Sequence, residues 1–225
     1  LTKAISDDWA RVIADTPIGP VTIEASRDGL CGLDFPGPGD LKLDALWADL
    51  GLPYRTPLPN DTLADFGINL PFVEIDPDWG AGDCVGERAG DGFYAVPPLQ
   101  GFSPEGIVRQ CREVLERFFA CDLNRQELSF SSLPVCAEGL SRFGRLVSEG
   151  MRAIPGAAVT SYSSLARAAG SPRAPRGVGA VVGANRVSLI VPCHRVVGVK
   201  GALTGYGGSL PLKLVLLALE QRAAV

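Results

Sequence analysis

A chain of 225 residues, 46% hydrophobic and 20% charged, is long and apolar enough to bury a core, which excludes a disordered or fibrous protein. No run of 18 apolar residues occurs and the opening segment has no apolar signal core, so neither a membrane-spanning helix nor a secretory signal is expected. The net charge of −4 is unevenly divided: residues 1–136 hold 10 Lys and Arg against 22 Asp and Glu, while residues 137–225 hold 11 against three, Glu138, Glu149 and Glu220. That division suits a C-terminal part that meets a polyanion, although two solvated faces without a partner would give the same count.

In chain order, Val21–Phe35 alternates apolar and polar residues around Arg27-Asp28-Gly29, which predicts a hairpin whose turn needs positive φ. Residues 36–101 contain nine Pro and ten Gly, so long helices are excluded there, and short strands such as Leu70–Ile75 are the most that is expected. Trp47, Phe72, Trp79, Phe93 and Tyr94 predict that this stretch packs onto the rest of the protein. Ser103-Pro104-Glu105 opens a helix carrying Ile107, Cys111, Val114, Leu115 and Phe118 on one face. A second helix is predicted from Leu140 to Ala153, stopped by Ile154-Pro155-Gly156.

Thr160 to Ser164 then cap a short helix ending at Gly170, and Ser171-Pro172-Arg173 leads to a small-residue helix over Ala174–Val182. Two short helices joined by a turn, the second basic at its start, predict a helix-turn-helix. Gly177 and Gly179 weaken a helix by about 1 kcal/mol each relative to Ala, a cost that makes sense if this helix lies very close to another surface. A last helix, about Leu210–Gln221, packs through Leu212, Val215, Leu216 and Leu219, with Pro211 in its first turn.

The six cysteines (Cys31, Cys84, Cys111, Cys121, Cys136 and Cys193) form no CxxC pair, and His194 is the single histidine. This pattern predicts mostly buried free thiols in a reducing compartment and no metal. Ser188–Val191 reads as a buried apolar strand running into Pro192, after which Cys193, His194 and Arg195 follow consecutively. A thiolate is the reactive form of cysteine, and imidazole and cationic neighbours favour it; a carboxylate elsewhere would orient the ring. Residues adjacent on a strand point to opposite faces, so Cys193 and His194 cooperate only if the chain bends there or a water carries the proton.

Pro192-Cys193-His194-Arg195-Val196-Val197 resembles the active-site signature of the O6-alkylguanine-DNA alkyltransferases, and the likeness runs without a gap from about Ser141 to Glu220. Asn185, eight residues before Cys193, is similar to the family's hinge asparagine, and Glu220, 27 residues after it, to the orienting glutamate. Thr160-Ser161-Tyr162 and Ala174-Pro175-Arg176-Gly177-Val178-Gly179 resemble the helix-turn-helix tyrosine and arginine finger; Thr204-Gly205-Tyr206-Gly207-Gly208 resembles the substrate-pocket loop. Thr16–Pro20 to Phe35 is a weaker likeness to the opening strands, and residues 36–101 match nothing in the family. Gly144 and Ser148 stand where the family has glutamine and tryptophan, Pro175 where it has alanine, Ser209 for a glycine and Val215 for a tryptophan. None of these removes a group the chemistry requires. The N-domain zinc ligands of some members have no match, and no cofactor is implied.

The resemblance implies an α+β protein in two parts. Residues 1–136 would form a ribonuclease-H-like domain with a small antiparallel sheet, and residues 137–225 an all-α, winged-helix-like domain holding the helix-turn-helix and Cys193. It implies a monomer in a bacterial cytoplasm that binds double-stranded DNA containing O6-alkylguanine (O4-alkylthymine being a second candidate substrate) and takes the alkyl group irreversibly, once per molecule. Ala174, Gly177 and Gly179 would let the helix approach the minor groove, Arg176 would replace the extruded nucleotide, and Tyr162 would press on its phosphate and reach N3. Backbone groups of Cys193 and Val196 would read the guanine edge, with Gly207 near O6 and Tyr206 as a wall. Glu220 would orient His194, which takes the Cys193 proton through a water, while Asn185 braces the turn. Two other readings remain: a lesion-recognition protein that transfers nothing, of the kind that lacks the acceptor cysteine, and a Cys/His/Glu hydrolase. The acidic N-terminal half would also suit a protein-partner module.

Overall fold

The computed structural model describes residues 3–6, 8–53, 55–75, 103–204, 206–207 and 209–224. Four strands, β1 (Lys3–Ser6), β2 (Trp9–Thr16), β3 (Gly19–Ser26) and β4 (Gly29–Asp34), form an antiparallel sheet in sequence order. In β2, Ala10, Val12 and Ala14 point inward while Trp9, Arg11 and Ile13 point outward, the period-2 pattern of a sheet with one wet face. The predicted hairpin is β3–β4, and Gly29 at its turn has φ of +129°. A Cβ there would lie 2.9 Å from the Pro134 backbone, so glycine is what lets the 133–136 segment pass.

The inner face of the sheet is covered by α2 (Pro104–Phe119), whose Ile107, Cys111, Leu115 and Phe118 are buried; the Ser103 hydroxyl accepts from Gly106 N at 3.1 Å, as its capping position predicts. The punctuated stretch contains only α1 (Asp44–Asp49) and a 3₁₀ turn at Leu63–Phe66 before the described residues stop at Ile75. Leu70–Ile75 is not a strand: it makes a single bridge, Phe72 to Val159. Trp47 is buried edge-on to Phe66, whereas Phe72 remains half exposed; Trp79, Phe93 and Tyr94 lie outside the described residues.

The C-terminal part is mostly helical. Helices α3 (Arg142–Arg152), α4 (Tyr162–Ala168) and α5 (Pro175–Gly183) pack on one another, the last two joined by the predicted turn. Strands β5 (Thr160–Ser161) and β6 (Val196–Val197) pair in parallel. Helix α6 (Leu210–Ala223) is buried continuously from Leu212 to Glu220, not along one face as predicted, because the other elements surround it. The free edge of β4 takes up the segment before α3, where Leu30 bridges Val135, and the chain after α5, where Leu33 bridges Val187. Leu33 N donates to Arg186 O at 2.7 Å, which fixes the chain just after α5 and therefore the approach to Cys193.

Candidate nucleophile site

The expected strand at Ser188–Val191 is absent. This segment is a tight turn with Leu189 at φ +70°, Ile190 N bonded to Ser188 O and Val191 N to Val187 O. Asn185 closes it from within: its Nδ2 donates to Val191 O at 2.8 Å and its Oδ1 accepts from Val187 N at 3.2 Å. Leu189, Ile190 and Val191 are apolar because they are buried, not because they alternate on a sheet. The chain then enters a single 3₁₀ turn, Cys193–Arg195, which removes the strand's opposite-face constraint on Cys193 and His194.

Cys193 is 3% exposed. Burial raises its thiol, against which Asn185, the Tyr206 hydroxyl (3.9 Å from Sγ), the Lys213 ammonium and the Ser188 side chain favour the thiolate. Beside it lie four fully buried ionisable residues, His194, Arg195, Lys213 and Glu220. Glu220 accepts from His194 Nε2 at 2.8 Å, from Arg195 Nε at 3.0 Å and Nη2 at 2.7 Å, and from Ala157 N at 3.1 Å. Burial would push the Glu220 carboxyl up, but Arg195 and His194 outweigh it and hold it at about 2. Arg195 is completed by Ile154 O at 2.9 Å and Leu128 O at 2.6 Å, so none of this charge is left unpaired.

Burial also lowers the imidazole of His194, so it is neutral at pH 7. With Glu220 ionised, Nε2 carries the proton it donates and Nδ1 is left as a lone pair. That Nδ1 is a buried side-chain polar atom without a hydrogen-bond partner among the described residues. Lys213 Nζ donates to Val196 O at 2.6 Å and lies 5.8 Å from the Tyr206 ring; burial brings it down to about 8. Sequence reading missed Lys213, although a single cation within Leu-Pro-Leu-Lys-Leu-Val-Leu-Leu is a visible signal. It also treated Arg195 only as part of the motif.

The remaining predicted residues border this centre. Tyr162 is half-buried at the start of α4 and its hydroxyl accepts from Thr204 Oγ1 at 3.1 Å. Tyr206 faces Cys193, Gly207 is exposed, and Gly205 and Gly208 lie outside the described residues. The Val196 carbonyl accepts from Lys213 Nζ. Arg176 is exposed in the first turn of α5, and Arg173 is exposed in the turn before it, neither with an ion-pair partner among the described residues. Ala174 is the uncapped residue before that turn. A Cβ at Gly177 would make ordinary contact with Phe143 and one at Gly179 would barely touch Tyr162, so nothing inside the protein requires these glycines. Pro175 occupies the first helical position, and Ser209 accepts from Leu212 N as the cap of α6.

The stretch that matched nothing contributes directly. Asn60 N donates to Leu203 O at 3.3 Å and Leu203 N to Asp61 O at 2.6 Å, tying it to the loop that leads to Tyr206. Val73 N bonds Val159 O, and Thr160 Oγ1 donates to Val73 O at 2.6 Å, next to Tyr162.

Fold and site together define a protein with a buried cysteine, followed within one 3₁₀ turn by a buried histidine, set beside a helix-turn-helix. A family model described as the DNA-binding domain of 6-O-methylguanine DNA methyltransferase matches residues 142–222. A methylated-DNA–protein-cysteine methyltransferase of Mycolicibacterium paratuberculosis is 48% identical over 82 residues, 36% of this chain and 50% of that one. The Mycobacterium leprae protein of the same name is 36% identical over 126 residues, 56% of this chain and 73% of that one. The crystal structure of Mycobacterium tuberculosis O6-methylguanine methyltransferase superposes with a TM-score of 0.56 at 26% identity, covering 96% of this chain and 95% of that one. The chain therefore belongs to the methylated-DNA–protein-cysteine methyltransferase family, and it spans half the length of the first of these curated relatives.

Proposed function

We propose that the protein repairs DNA by moving an alkyl group from O6-alkylguanine in duplex DNA onto Cys193, once per molecule. The observation that carries this is a buried thiol followed within one 3₁₀ turn by a neutral imidazole whose Nε2 is bonded to Glu220 and whose Nδ1 has no partner among the described residues. Such a base takes the Cys193 proton through a water. The sulfur attacks the O6-alkyl carbon, the carbon–O6 bond breaks with its electron pair going to the guanine, and the proton held by His194 passes to that guanine. The thioether does not hydrolyse, so no turnover follows.

Tyr162, Val196, Tyr206 and Gly207 form the substrate pocket in this reading, and Asn185 keeps the turn beneath Cys193 in place. Helix α5 enters the minor groove: Ala174, Gly177 and Gly179 keep that face low, and Arg176 fills the stack left by the flipped nucleotide, whose extrusion costs a few kcal/mol. The exposure of Arg173 and Arg176 supports this. Residues 137–225 act as the winged-helix-like acceptor domain, and residues 1–136 as a ribonuclease-H-like domain against which it docks. The bacterial relatives support a cytoplasmic repair protein, which we take to be monomeric.

The test is mass spectrometry after mixing with duplex DNA carrying one O6-methylguanine. One methyl on the Cys193 peptide per molecule is expected, with none in Cys193→Ala, which still binds the DNA. Tight binding of the lesion with no adduct in the wild type would instead establish a recognition protein. A Cys193→Ala protein that no longer binds DNA would overturn the roles assigned here.

A further inference from the structure

The β4 edge that receives the C-terminal part also carries two thiols side by side. Leu30 and Val135 form a parallel bridge, with Leu30 N donating to Pro134 O at 2.9 Å and Cys136 N to Leu30 O at 2.8 Å. In a parallel ladder the residues one step beyond a bridged pair stand opposite each other with their side chains on a common face. Cys31, where β4 bulges against β3, and Cys136 are the residues that follow this isolated bridge on each segment. A strand spacing of about 4.8 Å falls inside the Cα separation of roughly 4.4–6.8 Å that a disulfide spans. The two thiols interact directly, both are free and both are half-buried. Cys31 Sγ also donates to Ser26 Oγ at 3.3 Å, which holds it on the side facing Cys136.

Access comes from a cavity of about 660 Å³. Cys31 and Cys136 line it together with Trp9, Gly144, Ser148 and Asn185. Gly144 and Ser148 are the α3 positions where the family carries large side chains, and their small size leaves the thiols open to a small solute. Cys193, 3% exposed, does not line this cavity.

We propose that Cys31 and Cys136 are a redox modification site at which a hydroperoxide forms a disulfide clipping β4 to the segment that leads into α3. One thiol sulfur attacks the peroxide, the O–O bond breaks, and a sulfenic acid and water (or an alcohol) result. The second thiol then attacks the sulfenic sulfur, the S–O bond breaks and water leaves. Two thiols are oxidised by two electrons, one peroxide is reduced, and both thiol protons end in the released products. Burial raises the Cys31 thiol, so the reaction is slow and the bond records sustained exposure. The clip closes a loop of about a hundred residues, and the entropy that a cross-link removes from the unfolded chain grows with loop length.

The experiment treats the reduced full chain with hydrogen peroxide, blocks residual thiols with N-ethylmaleimide and maps tryptic peptides without reduction. The expected product is Asp28–Lys42 joined to Gln126–Arg142, lighter by two hydrogens and separated by reductant. Cys31→Ser and Cys136→Ser each abolish it. The oxidised wild type gains several degrees in melting midpoint, and neither variant does. Recovery of the two peptides singly blocked or singly over-oxidised, or of Cys136 joined to another cysteine, overturns the proposal. The wild-type map decides the matter even if a variant fails to fold.

Discussion

Two regions of this molecule use the same ion-pair chemistry with opposite consequences. Beneath Cys193, Glu220 is fully buried and bonded by Arg195, His194 and a backbone amide. Two residues along α6, Arg222 pairs with Asp49 of α1 across the surface, with side chains 41% and 65% exposed. The pair Arg167–Glu74 is of the second kind, and with Arg222–Asp49 it ties the stretch from 36 to 75 to the C-terminal helices. Water competes for every exposed pair, so each contributes at most about 1 kcal/mol. No water competes for Glu220, so the loss of one partner strands a charge at several kcal/mol. The cluster therefore specifies one arrangement of the site, whereas the surface pairs only favour a placement.

The largest expected effect that would break this contrast is at Glu220. Glu220→Gln leaves Arg195 charged and buried without a counter-ion, and should lower unfolding free energy by roughly 3–5 kcal/mol in urea titrations. A loss below 1 kcal/mol would mean that the cluster is not a structural unit. The same residue sets an acid limit. Its folded carboxyl lies at about 2, below the ordinary 4.5, so its stabilisation is complete above 4.5 and is lost as pH falls toward 2. Unfolding midpoints measured between pH 5 and 2 should drop more steeply for the wild type than for Glu220→Gln.

Lys213→Met sharpens the comparison within the buried region. It removes the ammonium that favours the Cys193 thiolate and frees the Val196 carbonyl. The pH profile of Cys193 alkylation by iodoacetamide should move upward, while the fold survives because methionine fills a similar volume. An unchanged profile would remove Lys213 from the site. The smallest effect is at the surface: Asp49→Asn should cost less than about 1 kcal/mol, and high salt should erase the difference. A cost of 3 kcal/mol would show that the placement of the 36–75 stretch depends on that pair.

Much of this was legible in the sequence, for identifiable reasons. The β3–β4 hairpin, α2 with its serine cap and the two helices around Ser171-Pro172-Arg173 follow from local periodicity and punctuation, which a short window contains. Cys193, His194, Asn185 and Glu220 were found by the spacing of a motif, and the structure bonds His194 to Glu220 and closes the turn before Cys193 with Asn185. Ser188–Val191 misled because an apolar run records burial, and burial is common to a strand and to a buried turn. Lys213 was missed because a lysine in a leucine-rich helix is explained only by the carbonyl and thiol it reaches. The basic count of the C-terminal half overstated its surface charge, since Arg195 and Lys213 are interior.

By itself the sequence determined most of the elements and the Cys193-His194 motif, since these rest on residue identity and on spacing within a few turns of chain. Only the tertiary structure decided that Glu220 is held at about 2 by Arg195, that Nδ1 of His194 has no partner among the described residues, and that Asp61 and Val73 hold the segments leading to Tyr206 and Tyr162. It also decided that Cys31 and Cys136, 105 positions apart in the chain, stand side by side on the β4 edge. Those facts depend on groups that meet only when distant segments pack, and on a local dielectric that no short stretch of sequence records.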